Sequence, residues 1–146
     1  MRAYAPFVTC TMLLIPGAVF AYDDTAIIER CDAEWGTDYS MVQYCRDQQR
    51  SAGKTFDRLK SQADTDETVA TILAQCEGEW HTDYAMVIYC FEQQSSALRS
   101  LSILAEDIPP SVHEQISSHC SNEWGNDFSM VAYCVEQQNN AWRGMQ

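Results

Sequence analysis

One block of nineteen residues occurs three times in this chain, and this repetition constrains the fold more than any other feature. The copies run from Cys31 to Gln49, from Cys76 to Gln94 and from Cys120 to Gln138, and they start 45 and then 44 residues apart. Their shared pattern is C-x-x-E-W-x-x-D-(Y/F)-x-M-V-x-Y-C-x-x-Q-Q, in which ten positions are identical in all three copies. A period of this length is typical of repeat proteins, whose neighbouring units bury each other's apolar faces.

Apolar spacing around each block predicts helices. Before and within the second block, apolar residues fall on one helical face at Val69, Leu73, Cys76 and Trp80, and the other two copies show similar spacing. No strand-like alternation competes with this pattern. We therefore predict an all-α protein of three tandem disulfide-clamped helical hairpins, arranged as a short solenoid or as a helical bundle.

The start of the chain has the pattern of a secretory signal. A basic tip at Arg2 precedes an apolar stretch that ends in the small residue Ala21. An uncleaved anchor is the alternative, but Pro16 and Gly17 interrupt the apolar stretch. We predict a signal peptide over 1–21, helical repeats over 22–62, 63–107 and 108–146, and a mature protein in the periplasm or secreted, without a stable membrane anchor.

The cysteine count points to disulfide bonds. Seven cysteines become six when residues 1–21 are removed, two in each block, and an even number in an exported chain indicates disulfides. A straight helix would hold the cysteines of one block about 21 Å apart, whereas a disulfide needs Cα atoms within about 7 Å. A hairpin that turns at the aspartate of the motif places the two cysteines at the same height on its antiparallel arms. This favours Cys31–Cys45, Cys76–Cys90 and Cys120–Cys134. Pairing between blocks, as Cys45–Cys76 and Cys90–Cys120, stays open.

The charge of the chain excludes some partners. Without Arg2, eight Lys and Arg stand against 21 Asp and Glu, which gives a formal charge of −13. Such a surface does not neutralise phosphates, so nucleic-acid binding is excluded, and adhesion to anionic lipid is disfavoured. It fits a basic partner, such as a basic exported protein, or cations, and the alternative is an acidic surface that is simply solvated.

The repeated aromatic residues are interpreted as hairpin core, packed on the disulfides; stacking platforms for sugars or peptides are the alternative. These residues are Trp35, Trp80, Trp124, Tyr44, Tyr89 and Tyr133. The methionines Met41, Met86 and Met130 are likewise predicted to pack.

The aspartates at the centre of each block, Asp38, Asp83 and Asp127, are interpreted as helix caps. Together with the preceding glutamates they could bind a cation, but two carboxylates are few for calcium. Asp64 is predicted to cap the second hairpin, and Ser111 with Glu114 to form a capping box in the third. No metal site and no cofactor is predicted.

A pair of glutamines closes each block, and two interpretations remain. One glutamine of each pair could face the first arm and bond to backbone at a seam between helices, or the pairs could form a repeated polar surface for a partner. The candidate interaction surface comprises Gln48, Gln49, Gln93, Gln94, Gln137 and Gln138.

The block resembles one found in small exported bacterial proteins of no established function, in which C-x-x-x-W-x-x-D-x-x-M-x-x-Y-C-x-x-Q occurs singly or in tandem. The resemblance covers the three blocks only. A more distant similarity, in architecture alone, is to the twin-cysteine helical hairpins of the mitochondrial intermembrane space. Neither resemblance implies a catalytic residue.

No catalytic motif accompanies the repeats. The chain lacks G-x-S-x-G, H-E-x-x-H and any phosphate-binding glycine loop. We therefore expect a non-enzymatic exported acidic helical-repeat protein that acts as a protein-interaction, inhibitor or sequestering module. The alternative is a metal-handling or thiol-redox protein that uses the repeated cysteines in reduced form.

Overall fold

Six helices make up the protein in a computed structural model that describes residues 21–103 and 105–146. The predicted signal peptide lies outside the described residues apart from Ala21. The all-α prediction is confirmed. The helices are α1 (Asp24–Trp35), α2 (Tyr39–Ala63), α3 (Glu67–Trp80), α4 (Tyr84–Leu101), α5 (Pro110–Trp124) and α6 (Phe128–Gly144).

Each pair of consecutive helices forms a hairpin that is closed by its own disulfide. The two Cα atoms are 5.7 Å apart in all three bonds. Pairing within the blocks is therefore confirmed and pairing between them is wrong. Three disulfides indicate an oxidising environment outside the cytoplasm. The bonds are Cys31–Cys45, Cys76–Cys90 and Cys120–Cys134.

The turn of each hairpin is built by the same local chemistry. The residue after the tryptophan ends the first helix at a positive φ, which is 55° at Gly36, 57° at Gly125 and 52° at His81. Only glycine adopts this conformation without cost, so His81 carries backbone strain of about 1–3 kcal/mol. The motif aspartate then caps the next helix through the N–H group three residues later, as Asp38 does with Met41. The cap prediction for the three aspartates is confirmed.

Two other predicted caps are wrong. Helix α5 begins at Pro110 and no side chain caps it, because a proline at the first helical position has no N–H group to satisfy and already holds a helical φ. This places Ser111 inside the helix, where it cannot act as a cap. Helix α3 is capped by Asp66, and Asp64 instead follows the end of α2.

The hairpins are stacked through their second arms. Helix α2 packs against α3 and α4, and α4 packs against α6, so α2, α4 and α6 form a row. Helices α1, α3 and α5 each pack against the second arm of their own hairpin. The result is a short open array with two ends. No helix in the described ranges is long and apolar enough to cross a membrane.

A glutamine hydrogen-bonds across each contact between neighbouring hairpins. At the first seam, between hairpins one and two, Gln49 donates to the capping Asp83 at 2.7 Å and accepts from the N–H of Ala85 at 3.2 Å. At the second seam, between hairpins two and three, Gln94 donates to the capping carboxylate at 2.9 Å and accepts from a first-turn N–H at 3.1 Å. Its partners are Asp127 and Ser129.

The core is unevenly distributed along the array. One apolar cluster joins the first two hairpins and contains Ile27, Phe56, Ile72, Leu73, Tyr84 and Val87 beside two disulfides. A smaller cluster, around the disulfide of Cys120 and Cys134, serves the third hairpin. The first seam is thus part of a continuous core, whereas the third hairpin packs around a smaller cluster that Leu101 of α4 also contacts.

Candidate interaction surface

Apart from the capping aspartate, four of the ten identical positions leave exposed side chains in the first hairpin. They are the glutamate, the tryptophan, the tyrosine and the first glutamine of the block, and their counterparts in the other hairpins are exposed or half-buried. The disulfides, the caps and the seams use the other repeated polar and cysteine positions. We call this set the repeated surface. It comprises Glu34, Trp35, Tyr44, Gln48, Glu79, Trp80, Tyr89, Gln93, Glu123, Trp124, Tyr133 and Gln137.

The prediction that the repeated aromatic residues form the hairpin core is wrong for the three tyrosines and for two of the tryptophans, and is confirmed for Trp80. The tyrosines Tyr44, Tyr89 and Tyr133 are 59%, 56% and 57% exposed, and Trp35 and Trp124 are 37% and 39% exposed. Trp80 is half-buried because it lies against the core of the first two hairpins. The core position of the second arm is instead taken by the identical valine, buried in all three copies: Val42, Val87 and Val131.

In the first hairpin, the four positions of the repeated surface come together. Glu34, Trp35, Tyr44 and Gln48 line one groove of about 280 Å³. The remainder of its wall includes Asp83, Arg30, which is paired with Asp83, and neighbours of Asp83 in the second hairpin, so the groove opens at the edge of the first seam. An aromatic pair, a carboxylate and an amide thus face the same space.

The two glutamines of a pair differ in burial and in their contacts. The second glutamine is buried at each seam, with Gln49 and Gln94 both 7% exposed, whereas the first glutamine of every pair is exposed. One glutamine does bond to backbone at a seam, but to the following hairpin and not to the first arm of its own. Sequence reasoning missed this pairing, although each second glutamine stands eleven residues after a capping aspartate.

Ion pairing leaves the surface acidic. Five of the eight basic residues of 22–146 are paired with carboxylates of the chain. The hydrogen bond from Arg50 lowers the pKa of Asp24, and that bond in turn raises the pKa of Arg50. In the repeated surface, the carboxylate of Glu123 lies 3.6 Å from Nε2 of His119, and among the described residues no ion pair involves Glu34 or Glu79. Exposed carboxylates therefore stand beside the exposed aromatic rings.

Metal-binding groups do not assemble in the described part of the chain. One trio of candidate ligands lies close together, at His119, Glu123 and Cys134. The sulfur of Cys134 is in a disulfide, so it offers no thiolate. The aspartates of the motif are occupied as helix caps.

Hydrogen bonds also act on the first capping aspartate. The hydroxyl of Ser40 donates to Asp38 at 2.8 Å, and this bond, with the N–H of Met41, lowers the pKa of Asp38 below its usual value. In the two later hairpins, a glutamine of the preceding hairpin donates to the matching oxygen.

Comparison with known proteins gives no relative. No family model matches the chain, and no curated protein or solved structure resembles it significantly.

Proposed function

We propose that this protein is a non-enzymatic, exported binding protein whose repeated surface holds a basic segment of another exported protein, in the periplasm or outside the cell. The observation that carries this proposal is the groove in which Glu34, Trp35, Tyr44 and Gln48 meet. The same four residue types recur in each hairpin.

The chemistry of these side chains suits an extended basic polypeptide. Exposed Trp and Tyr attract Arg and Lys side chains through their ring faces, and such aromatic residues often dominate binding energy. Neighbouring carboxylates add charge complementarity, and the formal charge of −13 steers a cation toward the whole surface. The exposed amide of each first glutamine can bond to the backbone of a bound segment.

A peptide-binding experiment tests the proposal. The probes are three peptides of equal length, rich in arginine, in serine and in glutamate, and binding is followed by tryptophan fluorescence. We expect binding of the arginine peptide alone, weakening by about tenfold or more as salt rises toward about 0.5 M. A variant with Tyr44→Ala, Tyr89→Ala and Tyr133→Ala should lose most of this affinity.

Tyr39→Ala is the matched control. Tyr39 is 78% exposed but lies outside the repeated surface, so its removal should leave peptide affinity unchanged. Equal binding of the three peptides, or a triple variant as good as the native chain, would refute the proposal.

The alternative hypothesis, metal or thiol chemistry at the cysteines, needs free thiolates. All six cysteines of residues 22–146 are in disulfides, and Cys31, Cys76 and Cys120 have no exposed surface. Mass spectrometry of protein recovered without reductant distinguishes the two hypotheses. Three intact disulfides favour the binding protein, whereas free thiols with bound zinc or copper favour the alternative.

A further inference from the structure

A hydrogen bond from a glutamine to a capping aspartate joins each pair of neighbouring hairpins. At each end of the array, one of these two groups faces no neighbouring hairpin. Gln138 occupies the position of Gln49 and Gln94, eleven residues after its own capping aspartate. It is exposed, and no hydrogen bond joins its side chain to any residue of the described ranges. At the other end, Asp38 occupies the position of the two aspartates that accept a glutamine, and it is exposed as well.

The apolar residues of the seams are also left uncovered at the two ends. Tyr84 is 3% exposed at the first seam, where it packs on Phe56, whereas Tyr39 at the matched position is 78% exposed. Met145 follows Gln138 by the same seven residues that separate Phe56 from Gln49. It is 74% exposed. One end therefore presents a free amide with an exposed Met, and the other presents a capping carboxylate with an exposed Tyr.

We propose that these two ends bind each other, so that the array continues from one copy of this chain to the next. Gln138 of one copy donates to Asp38 of the other and accepts from the N–H of Ser40, while Tyr39 packs against Met145. The occupant is a second copy because its end carries the same groups as the seams inside the chain. The contact is head to tail, which extends into chains of molecules instead of closing as a symmetric dimer.

The serine at the receiving end is compatible with this contact. The hydroxyl of Ser40 now donates to Asp38 and substitutes for the absent glutamine. Ser129 stands at the matched position of the third hairpin, where Gln94 is bonded to Asp127 and to the N–H of Ser129 itself. A serine at this position therefore leaves room for the glutamine.

The contact is smaller than the internal seams. Beyond its first turn, the receiving face of α2 carries Arg46 and Arg50, in ion pairs with Asp32 and Asp24. The matched residues of α4 are Phe91 and Ser95. Helix α6 ends at Gly144, so a docked copy covers only the first turns of α2 and leaves the ion pairs solvated. We expect weak association, with a Kd of about 0.1–1 mM.

The effect of salt concentration distinguishes this inference from the proposed function. Two copies of charge −13 repel each other, so salt should strengthen the association of the chain with itself. The same salt should weaken the binding of a basic peptide. Either proposal can therefore fail without the other.

Sedimentation velocity of residues 22–146, from about 10 µM to about 1 mM, tests the inference. We expect a rise in weight-average sedimentation coefficient with concentration, larger at higher salt. Gln138→Ala should remove most of it, whereas Gln137→Ala, the exposed neighbour, should not. A monomer at all concentrations, or self-association of Gln138→Ala equal to that of the native chain, would overturn the proposal.

A mixing experiment tests the head-to-tail geometry. Gln138→Ala and Tyr39→Ala each keep one intact end, so each alone should stay monomeric and their mixture should form dimers and nothing larger. Circular dichroism controls for folding, because both side chains are exposed. A mixture that stays monomeric, or single variants that still dimerise, would contradict the head-to-tail contact.

Discussion

The two seams of the array share one hydrogen-bond pattern but differ in what surrounds it. At the first seam, Arg30 adds an ion pair to Asp83 at 2.5 Å, and Tyr84 packs on Phe56 with ring centroids 5.2 Å apart. At the second seam, the position of Arg30 is held by Gln75, whose Oε1 is buried and accepts no hydrogen bond from the residues that the structure describes. The bond from glutamine to aspartate therefore sets the register, and the apolar and ionic surroundings set the strength.

The side-chain packing is also tighter at the first seam than at the second. The segment before α1 closes the first seam, since the N–H of Asp23 donates to the hydroxyl of Tyr84 at 2.7 Å and Tyr22 lies against Gly53. A side chain at Gly53 would collide with the Tyr22 ring, because its Cβ would lie 2.7 Å from that ring. Near the second seam, a cavity of about 460 Å³ includes Asn139, whose buried Oδ1 has no hydrogen bond in the described ranges. We therefore expect the third hairpin to separate from the array before the first two part.

The largest expected effect is the loss of the aromatic ring at each seam. Tyr84→Ala should lower the free energy of unfolding by about 3–5 kcal/mol, because it removes a fully packed ring. Phe128→Ala, at the matched half-buried position, should cost about 1–2 kcal/mol. Urea unfolding followed by circular dichroism measures both. Equal losses would show that the seams are equally well packed.

The seam glutamines come next. Gln49→Ala leaves the buried Asp83 and the N–H of Ala85 each without one partner, and should cost about 2 kcal/mol. Gln94→Ala should cost about 1 kcal/mol, because Asp127 is less buried. Their exposed neighbours are the controls, and Gln48→Ala and Gln93→Ala should stay within about 0.5 kcal/mol of the native chain. Hydrogen exchange should show faster opening of the hairpin that follows each altered glutamine. Unchanged exchange there would contradict the stabilising role of the seam hydrogen bonds.

Exchanging the residues that differ between the seams sharpens the comparison further. Gln75→Arg should supply the missing ion pair to Asp127 and stabilise the third hairpin by about 0.5–1 kcal/mol. Arg30→Gln should weaken the first seam by a similar amount. Both effects should shrink at high salt, since the pairs are partly exposed. Unfolding midpoints at two salt concentrations test this, and a Gln75→Arg protein less stable than the native chain would count against the matched geometry.

The smallest effect concerns pH, where an ion pair within the first hairpin and one between Arg143 of α6 and Asp107, before α5, should behave alike. Hydrogen bonds from Arg50 and Arg143 hold the pKa values of Asp24 and Asp107 below 3.8. The stabilisation from a lowered carboxyl pKa is present above the unfolded value and is lost as pH falls through the folded one. Both pairs should therefore be intact at neutral pH and fail only below about pH 4. Carboxyl NMR titration measures this directly, with Asp24→Asn and Asp107→Asn as references, and a midpoint above 3.8 at either site would contradict it.

The sequence predicted the parts of this protein whose causes are local. Helical spacing, the capping aspartates and the level cysteines each depend on residues within one block, and all three were confirmed. The exposure of the tyrosines was not predicted, because a helical stripe shows which positions share a face but not which neighbour covers that face. Tyr39 and Tyr84 occupy the same motif position and differ in exposure only because a hairpin precedes the second. The role of Gln49 was missed for the same reason, since its partner lies 34 residues away.

The confinement of every disulfide to one hairpin has a consequence for how the chain matures. Each bond joins cysteines only fourteen residues apart, whereas the next cysteine follows 31 residues after Cys45 and 30 after Cys90. When residues 22–146 emerge N-terminus first into an oxidising compartment, the two cysteines of each hairpin can therefore pair before a cysteine of the next hairpin appears. The bonds can form vectorially, one hairpin at a time, without an isomerase to correct them.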